Sequence, residues 1–309
     1  MMRNVKLYPE PAPRPAWPAL ILAVATLVLL GTRPAVAAEA SLVAVEAVQW
    51  PVWVERGGER RPLAVGENLQ GQDRLATGTG GRALLRLADG SGVKLGENAQ
   101  LELKGLSKGN DGVLNAAVEV VRGAFRFTTG LFTGRLKQRS VNITVATITA
   151  GIRGTDVWGK SDDSRDLVCL LEGRITVSHP LAAESVTMDQ ASSFYTADKG
   201  KPPGAIASVD AAQIAKWAAE TEIAPGQGSA RAGSPWQVLL ARVDTQPAAL
   251  AILDQARTLG FPARIRPVKD GENMTYEIRI RHLASESEAK ALAASLGAAL
   301  KLAEAKATR

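Results

Sequence analysis

Apolar residues recur at every second position through most of the chain between residues 42 and 179. Leu101 and Leu103 alternate with charged residues, and Phe125 and Phe127 share one face of a longer apolar run. Spacing of period two indicates strands with one buried face. Short turns separate these runs, and no helical period occurs before residue 208. The pattern therefore predicts a first domain that is mainly β.

One change of parity interrupts the alternation. The apolar positions of Val141–Val145 and those of Ile148–Ile152 fall on opposite faces of a continuous strand. Since a shift of one residue turns every side chain to the other face, a bulge or turn near Ala146 and Thr147 must reset the register.

Beyond residue 207 the apolar period becomes helical. The segment Ser208–Ile223 carries Trp217 on one apolar face, and Ser208 or Asp210 can cap it. The next residues, Ala224–Ser234, combine Gly, Ser and Pro without an apolar anchor, which is the composition of a flexible linker. We therefore predict a domain boundary near residue 230.

The C-terminal part mixes both periods. Ser285 followed by Glu288 forms a capping box at the start of a helix. The order of elements, β, α, β, β, α and a possible last strand, predicts a small ferredoxin-like βαββαβ unit. The expected segments are Trp236–Val243, Gln246–Leu259, Ala263–Val268, Met274–Arg281, the helix after Ser285, and Leu300–Ala305.

The N-terminus has the pattern of a secretory signal peptide. Basic residues precede an apolar run from Ala19 to Leu30, and Ala35-Val36-Ala37 supplies small residues for cleavage. The run is shorter than the roughly 20 residues that span a bilayer. We therefore expect cleavage after Ala37 or Ala38, no permanent membrane span, and a periplasmic protein.

Composition argues against several kinds of chemistry. The formal charge is +6, of which the leader accounts for +3, and this mild excess does not favour nucleic acid. One cysteine, Cys169, lies in an apolar strand, and His179 and His282 are the two histidines, so a zinc cluster cannot form. Neither histidine lies near a nucleophile elbow. We expect no cofactor, no metal and no catalytic residues.

Polar residues beside glycine invite a catalytic interpretation, but structural roles fit them better. Carboxylates at turns, such as Asp156 and Glu172, commonly accept hydrogen bonds from nearby backbone donors. Arg153 is expected to bond carbonyl groups or Asp156 with its planar fork. Three acidic residues between 162 and 166 are expected to be a solvated hairpin tip rather than a cation site.

The first domain contains four segments with a shared character of strands and glycine turns, at Gly81–Leu95, Val121–Phe127, Gly151–Asp156 and Leu171–Val177. Together they resemble the FecR domain found in the periplasmic part of iron-transport signal regulators. The resemblance covers about residues 60–180, and its motif residues here are Arg153, Gly154, Thr155, Asp156, Glu172 and Gly173. It implies a β-solenoid-like or rolled β domain that works by protein contact. Such regulators carry a cytoplasmic helical region and a membrane span before this domain. Because a leader is predicted there, we do not expect an anti-sigma role.

The C-terminal part resembles a SPOR domain in Trp236-Gln237-Val238, Ala249–Gly260, Tyr276–Ile280 and Ser285–Leu296. The resemblance implies binding of septal peptidoglycan whose glycan strands have lost their stem peptides. An antiparallel sheet can present aromatic rings to sugars and arginines to hydroxyl or acetamido groups. The candidate glycan-binding residues are Trp236, Gln237, Tyr276, Arg279 and Arg281.

These observations predict a non-enzymatic periplasmic envelope protein, located either at the division septum or throughout the envelope. It would bind peptidoglycan through the SPOR-like domain and contact an unidentified envelope protein through the FecR-like domain. The alternative is a periplasmic signalling adaptor in which both domains bind proteins and no glycan is bound. The predicted segments are a signal peptide (1–37), a FecR-like β domain (41–180), an extension with a helix (181–223), a linker (224–234) and a SPOR-like domain (235–305).

Overall fold

The computed structural model describes residues 42–109, 113–130, 139–152, 154–271 and 273–309. The predicted signal peptide and Arg153 lie outside the described residues. The described residues contain 22 strands and three helices: β1 (Val43–Gln49), β2 (Val52–Arg56), β3 (Glu59–Pro62), β4 (Asn68–Leu69), β5 (Arg74–Thr77), β6 (Arg82–Leu87), β7 (Gly92–Leu95), β8 (Gln100–Lys108), β9 (Leu114–Thr128), β10 (Arg139–Val145), β11 (Ile148–Ile152), β12 (Asp156–Ser161), β13 (Arg165–Glu172), β14 (Ile175–Ser178), β15 (Val186–Met188), β16 (Ser193–Asp198), β17 (Ala207–Ser208), α1 (Ala211–Ala219), β18 (Ser229–Arg231), β19 (Trp236–Val243), α2 (Gln246–Thr258), β20 (Arg264–Asp270), β21 (Asn273–Leu283), α3 (Glu286–Leu300) and β22 (Lys306–Thr308).

Two open sheets form the N-terminal part. The first sheet has the order β4, β1, β6, β7, β9, β12, β13, β16, β17. The second has the order β3, β2, β5, β8, β9, β10, β11, β14, β15. The chain passes back and forth between the sheets as it moves along them. The mainly β class predicted from the alternation is confirmed, and neither sheet closes on itself.

Strand β9 belongs to both sheets. Its first part pairs with β8 and, in parallel, with β10, whereas its last part pairs with β7 and β12. Gly123 separates the two parts with a φ of 85°, and a Cβ there would lie 2.5 Å from the Cα of Ala99. Only glycine allows both this backbone conformation and this close approach.

The chain forms a tight hairpin at the predicted change of parity. β10 ends at Val145, β11 begins at Ile148, and the two strands pair with Val145 opposite Ile148. Ala146, in the turn, has a φ of 47°. The two turn residues return both apolar sets to the same core, where Ile143 and Ile148 are completely buried.

Helix α1 lies against the outer face of the first sheet. Asp210 caps its N-terminus by accepting a hydrogen bond from the Gln213 N–H. The Trp217 ring stacks on Trp158 with centroids 4.9 Å apart. Cys169 lies in the same apolar cluster and is completely buried, as predicted, and burial raises the pKa of its thiol to about 12.

The C-terminal part has the predicted order of elements, β19, α2, β20, β21, α3, β22. Its sheet, called the C-terminal sheet below, has the antiparallel order β22, β19, β21, β20. The last strand is Lys306–Thr308 and not the predicted Leu300–Ala305. Helix α3 continues to Leu300, and Lys301 then adopts a left-handed conformation with φ 58°, which ends the helix.

The segment predicted as a linker contains strand β18. This strand pairs with β1 of the first sheet and, at Ala230 and Leu283, with β21 of the C-terminal sheet. One hydrophobic cluster runs through both parts, and the described residues from 42 to 309 form one compact unit.

Glu288 holds the turn that precedes β18. Its carboxylate accepts hydrogen bonds from the backbone N–H groups of Gly226, Gly228 and Ser229 at 2.6–2.9 Å. Ser285 caps α3 as predicted, accepting from the Glu288 N–H at 3.2 Å. Burial alone would raise the pKa of Glu288, but the hydrogen bonds from Gly226, Ser229 and Gly228 lower it below its ordinary value. The side chain predicted to complete a capping box thus binds the preceding loop instead.

Within the part of the chain that is described, no helix combines the length and the apolar character needed to cross a membrane.

Replacing Glu288 by Gln should lower the free energy of unfolding at neutral pH by about 2 kcal/mol, because an amide group then faces the buried backbone donors. Urea denaturation measures this loss. Hydrogen exchange at the amides of Gly226, Gly228 and Ser229 should become faster in the same variant.

The control is Glu286→Gln, since Glu286 is exposed on the same turn of α3 and pairs only with Lys290 among the described residues. The stabilisation by Glu288 should be complete above the ordinary carboxyl pKa of 4.5 and be lost as the pH falls through the lowered value. Wild type and Glu288→Gln should therefore converge in stability in acid. Equal stability at neutral pH would contradict the role assigned to Glu288.

Candidate functional site

One face of the C-terminal sheet is strongly basic. In β21, Ile278 and Ile280 are completely buried, whereas Arg279 and Arg281 point to the opposite face. Side chains alternate between the two faces of a strand, so the apolar pair fixes the direction of the arginines.

The neighbouring strands bring further basic side chains to this face. Residues directly opposite each other in antiparallel strands share a face. Arg264 lies opposite Arg279, and Arg266 lies opposite Glu277. The basic face, as used below, consists of Arg242, Arg264, Arg266, Arg279, Arg281 and Lys306.

Glu277 is the carboxylate at the centre of the basic face. It is 2% exposed, and it accepts from Arg242 at 2.5 Å and from Arg279 at 2.8 Å. Burial alone would raise the pKa of Glu277, but the hydrogen bonds from Arg242 and Arg279 lower it. Arg279 also donates to Gln237 at 3.4 Å and to Thr308 at 3.2 Å. These bonds hold the Arg279 guanidinium in one position.

The other cations of the basic face are available to a ligand. Arg264, Arg266, Arg281 and Lys306 are exposed and make no side-chain hydrogen bond or ion pair within the described residues. Arg264 also faces the like charge of Arg279 across the strand pair, an arrangement that costs stability unless an anion lies between the charges. The face can therefore bind a carboxylate, sulfate or phosphate group.

The structure brings together three of the five predicted site residues. Gln237, Arg279 and Arg281 share the basic face, and Gln237 lies opposite Arg281. Tyr276 has the parity of the buried isoleucines and packs against the core, as does Trp236. The Trp236 ring centroid lies 5.8 Å from the Arg309 guanidinium. Neither aromatic ring lies among the cations of the basic face, so the structure does not support the interpretation of this face as an aromatic platform.

Five residues at this face were not among the predicted site residues, namely Arg242, Arg264, Arg266, Lys306 and Thr308. The period-two repeats Arg264-x-Arg266 and Arg279-x-Arg281 carry the signal for four of the cations. The register between β20 and β21 then decides whether the two pairs coincide.

A second group of predicted residues lies where β12 and β13 meet. Gly173 has a φ of 90°, and a Cβ there would lie 2.4 Å from the Gly154 carbonyl oxygen and 2.8 Å from Thr155 Cγ2. Gly154 and Gly173, which are 19 positions apart in sequence, therefore bring their two motifs into direct contact. Thr155 is buried, donates its backbone N–H to the Thr129 hydroxyl at 3.0 Å, and accepts the Thr129 N–H with its carbonyl at 3.1 Å.

The carboxylates of this group differ from expectation. Asp156 is bound in a two-pronged ion pair by Arg126, at 2.9 and 2.7 Å, rather than by neighbouring backbone donors. Arg126 also reaches Glu222, beyond α1. The side chain of Glu172 is exposed and makes no hydrogen bond or ion pair within the described residues. The structural role predicted for Asp156 stays, with a different partner.

The acidic hairpin at residues 162–166 is not a cluster of solvated carboxylates. Asp162 accepts from the Ser164 and Arg165 backbone and is a turn residue. Asp166 is completely buried and accepts hydrogen bonds from Lys199 and Thr147. Among the described residues, no group of three or more His, Cys, Asp or Glu side chains is arranged to hold a metal ion.

Residues 73–176 match the family model described as FecR protein. The chain thus contains a FecR domain, and the first predicted resemblance is confirmed over these residues. No curated protein is significantly similar to the chain. The resemblance of residues 235–305 to a SPOR domain stays a prediction.

Two solved structures of a candidate anti-sigma factor from Parabacteroides distasonis ATCC 8503, at 1.65 and 2.50 Å resolution, are similar to this chain. They are 12% and 13% identical, and each alignment covers 65% of this chain and 96% of that chain with a TM-score of 0.38. A likeness at this level carries no conclusion about function.

Replacing Gly173 by Ala should destabilise the FecR domain by about 3 kcal/mol or more, because it adds a backbone clash to an unfavourable positive φ. The matched control is Gly154→Ala, since Gly154 has a φ of 69° but an added Cβ would meet nothing within 4 Å. This control should cost about 1 kcal/mol. Urea denaturation measures both values, and equal losses would show that contact between the two motifs is unimportant.

Proposed function

We propose that this is a non-enzymatic periplasmic envelope protein that binds denuded peptidoglycan glycan strands. In this proposal residues 235–305 form a SPOR-like domain, and its basic face is the glycan-binding surface. The FecR domain contacts or senses a protein partner near the cell wall.

The observation that carries the proposal is the set of unpaired cations on an open sheet face. Removal of a stem peptide from peptidoglycan leaves a free lactyl carboxylate on each N-acetylmuramic acid residue. A denuded strand is therefore a regularly spaced polyanion, whereas a strand with its peptides lacks these carboxylates on the sugar. Arginine is suited to this group because its planar fork donates two parallel hydrogen bonds to one carboxylate.

Polar side chains beside the arginines support a sugar ligand. Gln237 and Thr308 border Arg279 and offer an amide and a hydroxyl for sugar hydroxyl or acetamido groups. Since Trp236 and Tyr276 pack against the core, ring stacking contributes little to binding in this proposal. Binding is then mainly electrostatic and should weaken as salt is added.

The role proposed for the FecR domain is contact rather than catalysis. Its motif glycines serve a close backbone approach, and its motif carboxylate Asp156 is occupied by Arg126. These residues stabilise the two sheets, and a rigid scaffold of this kind suits the display of a surface to a partner.

The proposal is tested by sedimenting residues 38–309 with purified sacculi, with and without prior amidase treatment. Wild type should cosediment with amidase-treated sacculi, and less with untreated ones. The variant Arg264→Gln/Arg266→Gln/Arg281→Gln should bind about tenfold more weakly, because charge-assisted hydrogen bonds are lost. The variant should keep its fold, since these side chains are exposed.

A matched control removes the same charge elsewhere. Arg122→Gln/Arg165→Gln/Arg174→Gln changes three exposed arginines of the N-terminal part and should bind as wild type. Absence of wild-type binding to either form of sacculus would reject the proposal and favour the alternative of a signalling adaptor that binds only proteins. Equal weakening in both variants would show that the basic face has no special role.

A further inference from the structure

A crevice of about 1000 Å³ lies between the two parts of the chain, beside the basic face, with which it shares Arg264. One wall is β3 with the residues that follow it, and the other is the end of α2 with residues 262–265. Its volume is at the upper end of the range for ligand pockets, roughly 300–1,000 Å³.

The crevice carries its own exposed cations. The Arg60 guanidinium lies 4.6 Å from the Trp53 ring centroid, so the ring holds this charge at the wall. Arg257 and Arg264 line the opposite wall and make no ion pair within the described residues. Arg61 also lines the crevice, but its charge is taken by Glu67. Glu59 and Asp254 are acidic lining residues, and they leave the crevice mildly basic.

Arg264 connects the crevice to the basic face. A small hollow of about 80 Å³ is lined by Arg264, Arg279 and Arg281 together with Ala64 and Pro262. Arg264, Ala64 and Pro262 also line the crevice, so the two cavities adjoin. A ligand on the basic face can therefore continue past Arg264 into the crevice.

We infer that the crevice is a second subsite for the same glycan strand, in which Arg60 and Arg257 bind the carboxylate of a further muramic acid residue. This inference rests on the function proposed above. It makes the binding site longer than the C-terminal sheet and builds it from both parts of the chain.

An extended peptide strand is the less suitable occupant, although β20 and β3 are edge strands beside the crevice. Pro267 lies in the middle of β20 and lacks a backbone N–H, which is the usual way to prevent a further strand from pairing at an edge. Exposed arginine side chains, rather than a row of backbone donors, therefore offer the contacts here.

The test measures binding of denuded glycan oligosaccharides of increasing length to residues 38–309 by calorimetry. For wild type, affinity should rise when the oligosaccharide becomes long enough to pass from the basic face into the crevice. Arg60→Gln/Arg257→Gln should lose that rise, with about a tenfold weaker affinity for long oligosaccharides and an unchanged affinity for short ones.

Controls separate this inference from the proposed function. Arg122→Gln/Arg165→Gln should match wild type at every length, and thermal unfolding should show that both double variants are folded. If wild type binds but neither oligosaccharide length nor the crevice variant changes the affinity, the crevice inference is overturned. The proposal that the basic face binds glycan is then retained. If short oligosaccharides are weakened equally, the crevice is not a separate subsite. If wild type binds no oligosaccharide, both proposals are overturned.

Discussion

The arrangement of the two parts of this chain depends on one buried carboxylate. Glu288, on the first turn of α3, accepts three backbone N–H groups of the loop that leads into β18. Two of these donors, the N–H groups of Gly228 and Ser229, are buried and would otherwise lack partners, at a cost of about 1–3 kcal/mol each. Once the loop is fixed, β18 can pair with β1 on one side and β21 on the other. The first sheet and the C-terminal sheet are therefore joined by strand pairing and by a shared core.

Much of this fold follows from short-range sequence signals. Alternating apolar residues indicated the β domain, and Asp210 and Ser285 marked two helix starts. These signals work because side-chain direction and capping are decided within a few residues. The strand β18 could not be predicted in the same way. Its composition is that of a linker, and the partners of Ala230 are Leu283, 53 positions later, and Val48, 182 positions earlier.

In the candidate site, too, short-range sequence patterns predict some features, and others depend on the tertiary structure. Alternation along β21 predicts that Arg279 and Arg281 face away from Ile278 and Ile280. It also predicts that Tyr276 and Arg279 lie on opposite faces. The alignment of Arg264 with Arg279 depends on the register between two strands, which the sequence pattern does not specify. For the FecR motif, the sequence indicated turns at Asp156 and Glu172. The contact of Gly173 with Gly154 and the pairing of Asp156 with Arg126 required the tertiary structure.

Helix α1 has a consequence for the chemistry of the single thiol. None of its nine residues is buried, and it is held to the first sheet by the Trp217 stack and by ion pairs that follow the helix, such as that between Lys160 and Glu220. Exposed pairs of this kind contribute little, so the helix can detach at a lower cost than the sheets can open. Cys169 lies in the cluster that this helix covers, and its thiol is unreactive while it is buried. The rate at which a thiol reagent modifies the protein therefore reports local opening of this outer layer, without an engineered label.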